Sequence, residues 1–539
     1  MYLPNNFLSI ISAGSSEECS RLVQDFNAKN KDAKDSPGFE LEEKKRLWNA
    51  ISGRLADPDT PHDVKCGLLE ALRILSRDKA SIENVVEEEL VITLMKIAGL
   101  SASVEENLAP SEMLESLKVI FNFIYQSSAL QLMLINNGLL EGLTNRIRDF
   151  KSSNLPPNCQ YFTLRVFFMI TALCQGKAPK VRDELNGVGS LNDFLEDLAS
   201  NTEPYDDITV DIITESMKAL YNIIHDVAPA KKPTDKNSAS DEENLNYLIK
   251  ITQLVRKFLL CTTVTEDKKY EIHSHSIDLL NTVTTDCYDE LIPLGCDSSY
   301  QFEDHDMSCI EVMANFLQYR LECMENSRAP AHSISPVLAI LYRMAGNNRL
   351  IRKYLKKRIL PPLTKTDLVE RPEIGTTLRN RMCALLTSPS GITEFVANLL
   401  FVLCKESVNR MVKYTGYGNA AGLLASRGLM LGGRGNSDDY SSTSDDSDTE
   451  EYKEVRHLIN DVEGWLQPER PPPCEGMTDE QKEYEAMKLV QAIDQLQRRN
   501  IIQPCLISGD GKPVPIEHIL QLQGRGPQQA FNNHDSDSD

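Results

Sequence analysis

From the amino terminus to about residue 430, apolar residues recur at i, i+3, i+4 and i+7, and alternating runs bounded by turn pairs are scarce. The pattern predicts an all-α body. Laid under one another, the helices share a unit: a helix of the form x-L-x-x-L-x-x-L-x-N, a short polar break, then a second apolar stretch. Copies fall at residues 68–77, 113–125 with 130–143, 164–175 with 185–198, 214–225, 273–284, 335–344 with 348–363, and 393–404 with 408–424. The ends of the first helices (Ser76, Asn122, Cys174, Asn222, Asn281, Arg343, Cys404) step by roughly 46 to 62 residues, slightly above the ~40–47 of armadillo and HEAT units. Polar insertions at 229–244 and 286–306 account for the excess. One helical pair cannot bury its apolar face alone, whereas stacked neighbours make one continuous core with a curved groove. The expected fold is therefore an all-α, armadillo/HEAT-like superhelical solenoid over residues 1–430.

After Gly435 the pattern changes. The run NSDDYSSTSDDSDTEE at 436–451 holds too few apolar residues to offset its ordering entropy, and 468–473 reads as a proline-rich spacer. Thr478 with Gln481 then makes a capping-box signature, and Tyr484, Met487, Val490, Ile493 and Leu496 share one side of a helix that ends near Arg499. The expected organisation is a repeat body over 1–430 and a Gly-rich, acidic and Pro-rich disordered linker over 431–474. A C-terminal amphipathic helix over 475–505 and a disordered acidic tail over 506–539 complete it. The helix lies beyond the linker, so its apolar stripe needs a surface to cover.

Charge narrows the partners. The formal net charge of −22 excludes a generally basic surface, so nucleic acid is not expected as a partner, and the acid is concentrated toward the carboxyl end. The 13 cysteines are scattered singly with no CxxC pair, as for reduced thiols in a reducing compartment. The first residues lack a basic n-region with an apolar h-region, and no stretch approaches the roughly 18 apolar residues of a membrane span. A cytoplasmic monomer is expected.

Candidate chemistry is sparse. The sequence 416–422 (GYGNAAG) has dinucleotide-like glycine spacing but follows a helical pattern without a βαβ unit, and no P-loop, HExxH or EF-hand occurs. His273 and His275 point to different faces of a helix, and Asp304, His305 and Asp306 fall in a loop. No catalytic residue, metal or cofactor is expected. More informative are i,i+4 polar pairs on the first helices, Arg73 with Arg77, Lys118 with Asn122, and Lys218 with Asn222. Along a groove, Asn can satisfy the main chain of a bound peptide and Arg can hold a carboxylate; a merely solvated face is the alternative. Arg349, Arg352, Lys353, Lys356, Lys357 and Arg358 make a basic helix, open to an acidic segment or to solvent. Ser442 and Ser447 each have an acidic residue at +3, the pattern an acidophilic casein-kinase-type kinase accepts. Their phosphates would add charge able to dock on that basic helix, the alternative being a solubilising tail.

The stretch KYTGYGNAAGLLASRGLMLGGR at 413–434 resembles the synembryn family (resistance to inhibitors of cholinesterase). So do LRILSRD at 72–78, RPEIG at 371–375, FVLCKESVNR at 401–410 and EGMTDEQKEYEAMKLV at 475–490. The resemblance implies a protein that binds GDP-bound or nascent Gα subunits of heterotrimeric G proteins, releases the nucleotide as a non-receptor exchange factor, and chaperones Gα. It further implies that the groove holds the C-terminal helix of Gα, with Arg73, Arg77 and Asn122 at groove positions. The last helix would brace the opened nucleotide domain, Ser442 and Ser447 would match phosphorylated positions, and Gα would draw the protein to the cell cortex. An armadillo-type adaptor that binds a peptide without affecting exchange is the alternative.

Overall fold

The computed structural model describes residues 6–32, 40–79, 81–101, 109–225, 239–295, 299–435, 448–467 and 476–516, together with Tyr2, Pro4 and Cys474. The chain divides into two compact units, Met1–Leu291 and Ile292–Asp539.

Unit 1 is a helical stack. Its helices are α1 (Phe7–Ala13), α2 (Ser16–Asn30), α3 (Leu41–Ala56), α4 (His62–Leu75), α5 (Ile82–Val85), α6 (Glu88–Ile97), α7 (Pro110–Gln126), α8 (Ser128–Asn136), α9 (Leu139–Arg148), α10 (Pro157–Leu173), α11 (Gly187–Leu198), α12 (Asp207–Ile224), α13 (Ala239–Leu260) and α14 (Glu266–Leu280). Helices α2, α4, α7, α10, α12 and α14 pack in that order as one layer. Helices α1, α3, α6, α9, α11 and α13 form the second, tied in by the short α5 and α8. Helix α7 shows why the sequence folds this way. Pro110 sits in its first turn, where the missing N–H costs nothing. Met113, Leu117, Ile120, Phe123 and Ile124 then recur on one face and are all buried. The stacking of helical pairs and triplets is the armadillo-like all-α architecture that the periodicity predicts.

Unit 2 continues in helices: α15 (Ser308–Glu325), α16 (Ser335–Asn347), α17 (Arg349–Ile359), α18 (Leu378–Leu386), α19 (Thr393–Leu403), α20 (Val408–Thr415), α21 (Tyr417–Arg427), α22 (Glu450–Val455) and α23 (Asp479–Arg498). Among the described residues, antiparallel hairpins decorate it: β1 (Gln301–Phe302) with β2 (His305–Asp306), β3 (Ile459–Asn460) with β4 (Trp465–Leu466), and β5 (Cys505–Ile507) with β6 (Pro513–Pro515). Its core is built from α16 and α19, where Leu338, Leu341, Leu399, Phe401 and Leu403 are buried.

Two expectations need correction. Composition predicts disorder through 431–474, yet residues 448–467 fold onto unit 2. Thr449 caps α22 and donates to the Leu363 carbonyl (2.5 Å), Tyr452 and Val455 are buried, and Lys413 pairs with Asp448. Composition also predicts an unstructured tail from 506, whereas 505–515 form the β5–β6 hairpin and Ile516 is buried. In both places a few apolar side chains among acidic and turn residues find a ready surface, which average composition does not show. Ser442 and Ser447 lie outside the described residues.

Candidate functional site

Two sequence modules exactly one hundred positions apart organise the first layer: ESLKVIFN at 115–122 on α7 and ESMKALYN at 215–222 on α12. In each, the lysine reaches back three residues to the glutamate: Lys118 to Glu115 at 2.7 Å and Lys218 to Glu215 at 2.7 Å. Each glutamate also takes an arginine from the preceding helix of the layer. Arg73 Nε on α4 meets Glu115 at 3.0 Å, and Arg165 Nη1 on α10 meets Glu215 at 3.4 Å. Each lysine lies over a ring of α10, Lys118 over Phe162 (5.3 Å) and Lys218 over Phe168 (5.2 Å), while Arg165 covers Phe121 of α7 at 5.2 Å. Such contacts add a cation–π attraction to the ion pairs.

The asparagines do a different job. Asn122 Nδ2 donates to the Arg73 carbonyl (3.1 Å) and the Ser76 hydroxyl (2.8 Å) at the end of α4. Asn222 Nδ2 donates to the Phe168 carbonyl (3.1 Å) and the Thr171 hydroxyl (3.2 Å) on α10. Each amide thus bolts its helix to the one before it. The oxygen end, Oδ1, accepts from none of the described residues and is the acceptor a bound main chain could use.

Arg73, Lys118 and Asn122 therefore come together through Glu115 and the α4–α7 contact, and Lys218 and Asn222 form the equivalent set on α12. Arg77 does not share the helical face that i,i+4 spacing predicts. Helix α4 ends at Leu75 and is capped by Ser76, and Arg77 Nη1 turns to the Lys31 carbonyl at 2.9 Å. The modules' acids Glu115 and Glu215, Glu70 of α4, which pairs with Arg73 at 3.0 Å, and the cation Arg165 are not marked out by the sequence. The repeated E-S-x-K-x-x-x-N string was the available signal. At the far end of the layer, burial works to lower the Lys268 ammonium, but its hydrogen bonds to the Asp211 and Glu271 carboxylates outweigh it and hold it above its ordinary value.

His273 of α14 is buried, with Nε2 3.1 Å from the Leu259 carbonyl. Burial, helped by nearby Lys269, pushes its imidazole down to about 4, so the ring is neutral and its Nε2–H donates. His275 sits by Asp278 at 3.6 Å on another side. Asp306 is buried and caps the start of α15, accepting from the Ser308 N–H at 3.0 Å. Gly416 separates two helices, and the N–H groups of Tyr417 and Gly418 already donate to the carbonyls of Asp461 and Val462. They are committed to the protein's own chain instead of a phosphate. Among the described residues no three His, Cys, Asp or Glu side chains come together to hold a metal ion, no cysteine forms a disulfide, and no helix is long and apolar enough to cross a membrane.

Unit 2 contributes a cationic cleft of ≈ 310 Å³ beside α17. Arg349, Arg352, Lys353, Lys356 and Lys357 line it with Lys405 and Arg410, over an apolar floor of Phe302, Leu360, Pro362 and Leu403. Arg358, the last cation of the predicted basic helix, turns away to Glu311 (3.0 Å) and Asn315 (3.0 Å). The two ends of segment 436–447 are held close to this cluster: Gly435 N–H donates to the Glu406 carbonyl, next to Lys405, and Asp448 pairs with Lys413.

Helix α23 is unlike the rest. Its capping box is formed, Thr478 accepting from Gln481 N–H and Gln481 from Thr478 N–H, but none of its residues is buried. Tyr484 is 69 % exposed, Met487 55 % and Leu489 62 %, with Val490 and Ile493 half-buried on the same helix.

Residues 68–512 match the family model described as guanine nucleotide exchange factor synembryn. The chain belongs to the synembryn family. The match begins in α4 and ends in the last hairpin, so it takes in both modules and α23. Among curated synembryn relatives, "Chaperone Ric-8A" of Gallus gallus is 36 % identical, covering 99 % of this chain and 98 % of the relative. "Chaperone Ric-8" of Drosophila pseudoobscura pseudoobscura is 34 % identical, covering 97 % and 98 %. Solved structures similar to the synembryn chain include an engineered protein (TM-score 0.43, 13 % identity, 80 % of this chain and 94 % of that one). A computationally designed armadillo repeat protein for modular peptide recognition also matches (TM-score 0.34, 14 % identity, 54 % and 98 %).

Proposed function

We propose that this synembryn-family chain is an exchange factor and chaperone for Gα subunits that works without bond-making chemistry. The first layer of unit 1 grips the C-terminal helix of Gα, with Arg73, Lys118, Asn122, Lys218 and Asn222 facing it. Helix α23 braces the opened nucleotide domain through Tyr484, Met487, Val490 and Ile493. The observation that carries this reading is α23 itself: a capped helix of twenty residues with an apolar stripe and no buried residue. A contiguous apolar stripe left in water marks a partner surface.

Exchange then follows from linkage. A protein that binds nucleotide-free Gα more tightly than Gα·GDP must weaken GDP binding by the same factor. Phosphates placed on Ser442 and Ser447 by an acidophilic kinase dock in the cleft of Arg349, Lys353 and Lys356, because both ends of their segment are already held beside it. The protein acts as a cytoplasmic monomer, recruited to the cortex by Gα.

The test is direct binding of the full chain to Gα loaded with GDP, loaded with a GTP analogue, or stripped of nucleotide. Tightest binding to the stripped form supports the reading. Equal affinity for all three would leave only an armadillo-type adaptor.

A further inference from the structure

The stretch that carries α23 leaves the unit 2 body and returns to it at the two ends of one short helix, α21. The first turn of any helix exposes N–H groups that have no intrahelical acceptor. At the amino end of α21, Tyr417 N–H donates to the Asp461 carbonyl (2.8 Å) and Gly418 N–H to the Val462 carbonyl (2.9 Å), both in the turn between β3 and β4. This close approach requires glycine on both sides. Gly416 has φ +74° and Gly464 φ +77°, and a Cβ on Gly464 would stand 2.7 Å from Pro372 Cγ and 3.0 Å from Gly416 Cα. The Arg371–Glu463 pair at 3.2 Å reinforces the contact.

The carboxyl end is closed by the other hairpin. Gly428 ends α21 in the left-handed conformation (φ +69°), and Met430 N–H donates to the Gly511 carbonyl at 3.3 Å. Gly511 also has positive φ (+74°), and a Cβ there would fall 2.0 Å from the Gly428 carbonyl oxygen, so no other residue fits. The hairpin is tied in turn to α23, since Gln497 Nε2 donates to the Ile516 carbonyl at 3.1 Å and Ile516 is buried. Tyr417 from the first turn of α21 donates its hydroxyl to the Met430 carbonyl at 3.0 Å, linking the two ends.

We infer that α21 and its two hairpins form a double clip that presents α23 as a loop closed at both ends, with Gly428, Gly511 and Gln497 as positioning residues for exchange. The inference rests on the proposed bracing role of α23. Tied to the body at its amino-terminal side alone, the helix would be limited in reach and not in direction. The second clip restricts its direction as well as its reach. None of the three residues needs to touch Gα for this.

Gly511→Val in the full chain opens the carboxyl clip without altering the α23 stripe. The expected result is a fall of about fivefold in the maximal rate of stimulated GDP release, with unchanged affinity for a Gα C-terminal peptide. Spin labels carried by unnatural amino acids at positions 426 and 491 should give a narrow distance distribution in the parent and a broad one in Gly511→Val. Gln497→Ala, which unties hairpin from helix and leaves the Met430–Gly511 contact, should lower the rate about twofold with partial broadening. A parent-like maximal rate in Gly511→Val overturns the clip, as does a lost rate with a distribution that stays narrow. Met487→Asp with Val490→Asp in the same assay separates the readings, because it should abolish stimulation with the distribution unchanged, and its failure would count against the role of α23 instead.

Discussion

The first layer of unit 1 and helix α23 of unit 2 offer a partner opposite kinds of surface. In the two modules of unit 1, Arg73, Lys118, Arg165 and Lys218 are each paired with Glu115 or Glu215, and both asparagines are bolted to a neighbouring helix. On α23 Tyr484, Met487 and Leu489 stand in solvent and no residue of the helix is buried. The first surface is ordered before a partner arrives, so little side-chain freedom is lost on binding. The second gains most of its contacts only when a partner covers it. Under the proposed function, the two surfaces thus differ in when their interactions with Gα are made.

Replacing Arg73 and Lys118, the two cations held by Glu115, together by alanine tests the ordered surface hardest. Gα affinity should fall by at least about 2 kcal/mol, as for truncating charges that hold a carboxylate in a groove. Removing the last residues of Gα should produce the same loss without adding to it. Isothermal titration of the double variant decides this, and parent-like affinity would mean that the paired charges serve only the fold.

Acid should attack one side of the comparison and spare the other. His273 titrates near 4 in the folded chain against an ordinary 6.5, so the folded state favours the neutral ring. Its contribution is intact above pH 6.5, is lost as the pH falls through that window, and levels off below about 4. The loss amounts to about 2 kcal/mol by pH 5. Denaturant unfolding of unit 1 between pH 7 and pH 5 should show it, and His273→Gln should flatten the slope while the helicity of α23 stays unchanged.

A smaller effect separates the two ends of each asparagine. Asn222→Ala should destabilise unit 1 by about 1 kcal/mol through the lost donor, whereas Asn222→Asp, which keeps an acceptor and removes the donor, should be at least as harmful. Thermal melts of both variants against Asn122 equivalents measure this. Should Asn222→Ala leave stability untouched, the bolt between α10 and α12 is dispensable. Smallest is the linker effect: phosphorylation at Ser442 and Ser447 should tighten Gα binding or speed exchange a few-fold at low salt, and the gain should shrink as ionic strength rises. Alanine and phosphorylated forms that behave alike at low salt would reduce the serine run to a solubilising segment.

Much of this was legible in the sequence for physical reasons. Periods of 3.6 survive any loop length, so the helices of both units could be read from Leu, Ile and Val alone, and the Thr478–Gln481 pair marked the start of α23. Pairings across helices were harder. Glu115 and Glu215 look like ordinary exposed acids until α4 and α10 bring Arg73 and Arg165 beside them. The i,i+4 spacing of Arg73 and Arg77 misled because the helix ends between them. Residues 448–467 and 505–516 were hidden by average composition, since Tyr452, Val455 and Ile516 are few, and the contacts of their two hairpins depend on glycines at 416, 428, 464 and 511 that let backbones meet. No local pattern announces such an approach.

Gripping and exchange, as proposed, reside in different parts of the chain. A chain ending at Pro473 should be compared with the full chain in GDP-release kinetics, beside titrations with the Gα C-terminal peptide. Peptide affinity should stay within about twofold of the full chain while stimulated GDP release falls about tenfold or more, as expected when bracing contacts of a few kcal/mol are removed. Full-rate exchange by the truncated chain would contradict that division and place the whole mechanism in the paired surface of unit 1.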